Sequence, residues 1–148
     1  MPLVYGQDER VTRWVAAANG HSEPPPATSA IGFERGGDLV AGVFFDNCSK
    51  TNVFAHIACS ALVMPVELLA ATAAYAFVQI GALRMTFLVN DDNTACRALV
   101  IGLGAQREGR LEKGHEKGDV LIYVLWRDSR FYQRLVQTGR VVPIEEAA

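Results

Sequence analysis

Between Asn52 and Leu103 the chain reads as strand, helix, strand, helix, and no other feature constrains its fold as tightly. "NVFAHIACSALVM" (Asn52 to Met64) has the β-branched and aromatic content of a strand that passes into a loop near Ser60. "PVELLAATAAYAFVQIG" (Pro65 to Gly81) follows as a helix, with proline suited to its first position and glycine to its C-terminal cap. That helix is apolar on nearly every face, which predicts burial against a sheet and against further structure behind it. "LRMTFLV" (Leu83 to Val89) is the next strand. Asn93 then caps a helix from Thr94 to about Leu103, its side chain accepting from N–H groups that a first turn leaves unpaired. Strands joined in this way pair in parallel through right-handed crossovers. A polar loop and a helix N-terminus at the carboxyl end of a strand are where α/β proteins hold ligands. "NDDNTACRALVIGLGAQREGR" (Asn90 to Arg110) is that place in this chain.

Hairpins flank this core. "AIGFERGGDLVAGVFFD" (Ala30 to Asp46) turns at Gly36-Gly37-Asp38, which tolerates positive φ. "REGRLEKG" and "DVLIYVLWRD" are strands around the turn "HEKGD". Before them, "DERVTRWVAAANG" (Asp8 to Gly20) is a short helix with Val11, Trp14, Val15 and Ala18 on one face and Asn19-Gly20 as its stop. "HSEPPPATS" cannot be regular structure, because consecutive prolines remove donors and force extended dihedrals. The predicted organisation is one domain over residues 1–148, with the N-terminal helix and Pro-rich loop in 1–29 and a C-terminal tail in 131–148, a short helix or an extended segment.

Composition removes some alternatives. The net charge of −2 gives no broad electrostatic case for nucleic-acid binding, and the basic residues from Arg84 to Arg140 interleave with acids as a solvated surface does. The three cysteines form no C-x-x-C pair and predict reduced thiols in a cytoplasmic protein. No basic segment followed by an apolar one marks a signal peptide. The longest apolar stretch, Ala61 to Leu83, is broken by Pro65, Glu67, Thr72 and Gln79, which predicts no membrane span. The three histidines lie far apart and give no ligand spacing, so no metal site is expected.

With this order of elements, several short motifs resemble those of the GNAT N-acetyltransferases. The match is to the branch of ribosomal-protein and polyamine acetyltransferases, which includes short phage-encoded forms. Asn93 stands where that branch has an Asn after a strand. Gly104-Ala105 stands for its Gly-aromatic pair, Glu108-Gly109-Arg110 for its Glu-Gly and basic strand, and Asp119 and Tyr123 for its later Asp and Tyr. "YAFVQIGALRMTFLVNDDN" resembles its helix-to-strand passage, and the likeness extends from Ala30 to Arg130.

The resemblance implies an α/β fold with a central mixed, mostly antiparallel sheet, a β-α-β-α core and helices on both faces. It implies acetyl-CoA as acetyl donor, a primary amine as acceptor and pairing into homodimers. The pantetheine would lie along the backbone of Ile57, Ala58 and Cys59, where two strands splay. The pyrophosphate would sit at the helix start near Val66 and Glu67. Asn93 would stand near the thioester end, and Arg97 belongs to the same expected cofactor-binding set. The chain departs from the family in two places: "SALVMPVELL" has no glycine and puts proline at the helix start, and Val100 stands where many members have Tyr. Those departures favour the alternative, a GNAT-like fold without catalysis that works as a binding or assembly protein, such as a phage accessory factor. A nucleic-acid-binding module is a third, weaker option.

For direct attack by an amine, a base and a donor are needed. His56 titrates in the right range for a base and lies on the strand expected to line the gap; the plain alternative is a histidine bonded to backbone. Glu34, on the preceding hairpin, is a second candidate base or amine anchor, against a solvent-facing strand residue. Ser60 is a candidate donor to the leaving thiolate. No His/Asp pattern supports Cys59 as a nucleophile, so its thiol is expected to be structural. Tyr123 and Trp126, three apart on a strand, face opposite sides, one into the core and one toward an acceptor cleft. His115 is expected in a solvated turn.

Overall fold

The computed structural model describes residues 2–21, 23–27, 29–60 and 63–143. A seven-stranded sheet is formed by β1 (Leu3–Val4), β2 (Ser29–Arg35), β3 (Asp38–Asp46), β4 (Asn52–Cys59), β5 (Arg84–Asn90), β6 (Gln106–His115) and β7 (Gly118–Trp126), in the order β1-β2-β3-β4-β5-β7-β6. Every neighbouring pair is antiparallel except β4–β5. The helices are α1 (Asp8–Ala18), α2 (Val66–Ala73), α3 (Thr94–Gly102) and α4 (Arg130–Gln137). The sheet is therefore mixed and mostly antiparallel, with the expected β-α-β-α core at its centre.

Helices cover both faces. On one, Val53, Ala55 and Ile57 of β4 join Phe45, Phe87 and Tyr123 against Leu68, Phe77, Val100 and Leu135 from α2, α3, α4 and the turn after α2. On the other, Val11, Val15 and Ala16 of α1 pack on Ala30, Phe44 and Ala58. Strand alternation separates the two sets, since Phe44 faces α1 while Val43 and Phe45 face α2. Helix α1 sits close because Gly32 and Gly42 pair beneath it. A Cβ at Gly42 would lie 2.9 Å from Val15 Cγ2 and 3.1 Å from Val11 Cγ1.

Strand β4 ends at Cys59 and leaves the ladder near Ser60 as expected, the Ser60 N–H donating to Val40 O at 2.8 Å. Three elements differ from the sequence expectation. The expected single helix from Pro65 to Gly81 changes winding: after Ala73 it continues as a π-helical segment, Ala74–Gln79, and ends before Gly81, whose φ is 79°. Helix α4 starts at Arg130, earlier than the expected tail, because the Ser129 side chain caps it by accepting from Tyr132 N–H. Strand β1, two residues long, carries too little pattern to be read from sequence. The last stretch of the expected tail, 144–148, lies outside the described residues. No described helix is long and apolar enough to cross a membrane.

Candidate functional site

The β4–β5 ladder runs from Asn52↔Arg84 to Ala55↔Phe87 and stops. Beyond it β4 stays paired with β3 through Cys59, and β5 stays paired with β7 through Asn90. Each strand is held by its outer neighbour, so the two part and leave a gap between them. The gap opens into a groove of about 670 Å³, bounded by Ile57, Ala58 and Cys59 of β4, Asn19 at the end of α1, and Asn93, Cys96 and Leu99 at α3. Its narrow end, lined by His21, His56, Asn90 and Asn93, is a cavity of about 20 Å³, room for a single water.

At the β4 exit the chain enters α2 with Pro65 at the cap position and no side-chain cap. Leu68 and Leu69 N–H both donate to Pro65 O, at 3.1 and 3.2 Å. No described residue accepts from Val66 or Glu67 N–H, so two first-turn donors and the helix dipole face outward, with the exposed Glu67 carboxylate beside them.

His56 lines the narrow end from the α1 face of the sheet. Its Nε2 is 3.0 Å from Asp46 Oδ2, and its ring stacks on Phe44 with centroids 4.4 Å apart. The side chain is 17% exposed. Burial draws its pKa below the ordinary histidine value; Asp46 pulls it back up, and His21 adds a small downward push. With Nε2–H donated to Asp46, no described residue occupies Nδ1, whose lone pair is then available as a base.

Asn93 caps α3 as expected: its Oδ1 accepts from Cys96 N–H at 3.1 Å. Its Nδ2 also donates to Asn19 Oδ1 at 3.4 Å, and Asn19 Nδ2 donates to Ile57 O at 3.3 Å. A short polar chain thus spans the gap from α3 to β4.

The gap brings together His56, Ile57, Ala58, Cys59 and Asn93 from the expected set, and Val66 and Glu67 stand at the helix start that follows. It does not bring in Glu34, Ser60 or Arg97. Glu34 pairs with Arg10 at the hairpin end of β2. Ala30 is the β2 residue level with His56 across β3, and four residues of strand put Glu34 about 13 Å along the sheet from it. The Ser60 hydroxyl donates to Val40 O at 3.1 Å, on the β3 side and away from the gap. Arg97 lies toward β7, its Nε 3.5 Å from Tyr123 Oη and its Nη1 3.4 Å from Asp91 O.

Tyr123 is buried at 2% exposure, as one of the expected pair should be. Trp126, however, stands at the far end of β5, with the Arg84 guanidinium over its ring at 5.5 Å, and not in a cleft. Val100 is a core residue with no exposure. His115 is not in open solvent: its Nε2 is 3.2 Å from Asp91 Oδ1 and its Nδ1 accepts from Lys117 N–H at 3.3 Å. Asp91, Asp92 and His115 bring ligand-type atoms within 4.8 Å of one another. Those hydrogen bonds commit the imidazole's Nε2 to its proton, and Asp91 Oδ2 accepts from Asp119 N–H, so the cluster locks the β6–β7 turn onto β5.

Asn19, which lines the gap, and Asp46, which holds His56 from β3, gave no separate signal in the sequence. Asp46 meets His56 only through the β3–β4 register, which places Phe44 opposite His56. Asn19 does form a helix stop, and that local role hid its reach across the gap.

No family model matches the chain, and no curated protein matches it in sequence. Solved structures do match in fold. The spermidine/spermine N-acetyltransferase SpeG from Vibrio cholerae, in mutant forms, superposes with a TM-score of 0.65 at 15% identity, over 89% of this chain and 97% of that one. YncA from Salmonella typhimurium, solved with its cofactor acetyl-CoA, gives 0.63 at 13% identity, over 86% and 94%. RimJ from Mycobacterium smegmatis, solved with CoA-disulfide, gives 0.54 at 20% identity over 76% of this chain, which spans 60% of RimJ's length. The chain has the fold of these acetyltransferase structures.

Proposed function

We propose that the protein transfers an acetyl group from acetyl-CoA to a primary amine by direct attack in a ternary complex. The observation that carries this reading is the end of the β4–β5 ladder at Ala55 and Phe87, which leaves a groove with an uncapped helix start at one end and the His56–Asp46 pair at the other. An extended amide chain fits the β4 edge as an added strand would. The Val66 and Glu67 amides suit a diphosphate. Fold likeness to proteins solved with acetyl-CoA and CoA supports the same donor here.

In this reading the acceptor amine enters from the α1 side and loses its proton to His56 Nδ1. The neutral nitrogen attacks the thioester carbonyl, the C–S bond breaks as the tetrahedral adduct collapses, and the second proton of the nitrogen passes through solvent to the departing CoA thiolate. Asp46 holds the imidazole in the tautomer that presents Nδ1 and stabilises the imidazolium that forms. SpeG acts on spermidine and spermine, as its name says; the acceptor class proposed here is the wider one of primary amines.

One feature favours a second reading, binding without catalysis: Pro65 and Glu67 leave a weaker anion site than a glycine-rich start would. Calorimetric titration with acetyl-CoA, free CoA and ATP, followed by an amine screen, separates the two. Micromolar binding of acetyl-CoA and CoA but not ATP, with acetylation of an amine panel, supports the transferase. Binding without turnover, or no binding at millimolar CoA, overturns the transferase and favours the second reading.

A further inference from the structure

We infer that Asn19 is a built-in stand-in for the ligand, occupying the Ile57 carbonyl across the gap until an incoming amide displaces it. The inference rests on the proposed acetyl-CoA site and concerns how that site is cleared.

The end of α1 does not need the Asn19 side chain. Gly20 has a φ of 84°, Gly20 N–H donates to Ala17 O at 3.1 Å, and His21 N–H donates to Ala16 O at 2.9 Å. These are the two bonds that close a helix on a left-handed glycine, and they satisfy the last carbonyls from the backbone alone. The Asn19 carboxamide is left to reach 38 residues along the sequence to Ile57 O, at 3.3 Å. Its other partner is Asn93 Nδ2 at 3.4 Å, on the far wall of the gap. Both bonds are long and therefore weak.

Ile57 lies two residues past the last β4–β5 pair, so its carbonyl would have no strand partner without this side chain. A buried carbonyl without a donor is unfavourable; Asn19 supplies the N–H donor, beside the weaker thiol of Cys96 at 4.0 Å. What it supplies is a primary amide N–H. An extended amide ligand laid along β4 offers the same group to the same oxygen. The two N–H donors compete for the gap-facing side of that oxygen, and the losing carboxamide turns away from β4 while α1 keeps its seat. Since Asn19 and His21 border the space beside His56, filling the gap would also reshape the acceptor side.

A residue that merely props the fold and one that competes with the ligand give opposite signs when removed. Asn19→Ala and the shape-preserving Asn19→Asp both remove the donor to Ile57 O. Asn19→Asp still accepts from Asn93, which guards against a variant that fails to fold. The readouts are calorimetric affinity for free CoA and the rate at which iodoacetamide labels Cys96, followed by peptide mass spectrometry. Cys96 lies on the gap wall, its Sγ 4.0 Å from the same Ile57 oxygen.

The expected result is CoA binding about five-fold tighter in both variants, and Cys96 labelling faster by about the same factor without CoA, as loss of one competing neutral hydrogen bond implies. Faster labelling with no CoA binding in any form supports the shielding of the gap wall by Asn19 and sinks the acetyl-CoA reading. Labelling that is unchanged or slower, or CoA binding that weakens, overturns the inference and makes Asn19 a strut.

Discussion

His56 is placed by what neighbours it on three sides, and each makes a separate expectation. Phe44 fixes the plane of the ring, Asp46 fixes its tautomer, and burial disfavours its charge. His56→Gln keeps the size of the side chain and removes the base. Turnover should fall by about 10²–10⁴ with CoA affinity unchanged, measured by thiol release and by titration. Asp46→Asn acts in a different way. Asp46 raises the His56 pKa against burial, so its loss moves the acidic limb of the pH–rate profile to lower pH while lowering the maximum rate. A shift to higher pH would show that the limb belongs to another group. The same shift bears on stability. In the unfolded chain the imidazole takes its proton near 6.5, whereas the folded chain takes it lower. The unfolded state therefore binds more protons between these values. Stability present above 6.5 is lost as pH falls through the folded value, and His56→Gln should flatten that part of a Tm–pH curve. Of these residues the sequence showed His56 and Asn93, since a strand histidine and a helix cap are local signals. Asp46 could not be read, because it is ten residues from His56 and on the same face only through one strand register. Glu34 was legible as a carboxylate but not as one already paired with Arg10, a residue 24 positions away.

Two elements position the site: α1 above it and the start of α2 beside it. The seat of α1 depends on the Gly32↔Gly42 pair. Gly42→Ala would push a methyl against Val15 and Val11, both fully buried, so neither can move aside freely. A cost of about 1–3 kcal/mol is expected from such overpacking, read as a lower midpoint in urea with an unchanged slope. The start of α2 tests the anion site. Glu67 is exposed and makes no ion pair among the described residues, so it opposes a diphosphate at the Val66 and Glu67 amides while giving the fold only the modest gain of an acid in the first turn of α2. Glu67→Gln should tighten CoA binding about two- to five-fold at low salt, with the gain shrinking as salt rises. No change would place the diphosphate elsewhere. At this scale the sequence was a good guide wherever one residue type forces a boundary: Pro65, Gly36-Gly37 and Asn93 all mark real ends. It was a poor guide where tertiary contacts decide. The turn from α-helical to π-helical winding at Ala74 sits where Tyr75 packs 4.3 Å from Phe45 across the core, which no local pattern encodes.

The whole molecule turns on one parallel pair set inside an antiparallel sheet. A hairpin holds its strands together by its turn, but β4 and β5 are joined only through α2, so nothing forces them to stay in contact along their full length. The outer pairings, β3 on β4 and β7 on β5, continue past the point where the inner one stops. The one parallel pairing was legible from the alternation of periods between Asn52 and Leu103, whereas the place of β7 beside β5 was not. Nor was the length of the gap, because it depends on how far two registers run on opposite sides of the sheet. A ligand that fills the gap ties together halves of the sheet that share only four residue pairs, Asn52↔Arg84 to Ala55↔Phe87. It should therefore stabilise the fold as a unit. At a hundred times its dissociation constant, free CoA is expected to add about 2.7 kcal/mol, which for a chain of this size raises Tm by about 5–10 °C. ATP, which carries phosphates but no pantetheine arm, should leave Tm nearly unchanged. Equal shifts with CoA and ATP would mean that the helix start alone captures the anion. Binding would then sit outside the gap, and the parted strands would have to be explained by some other occupant.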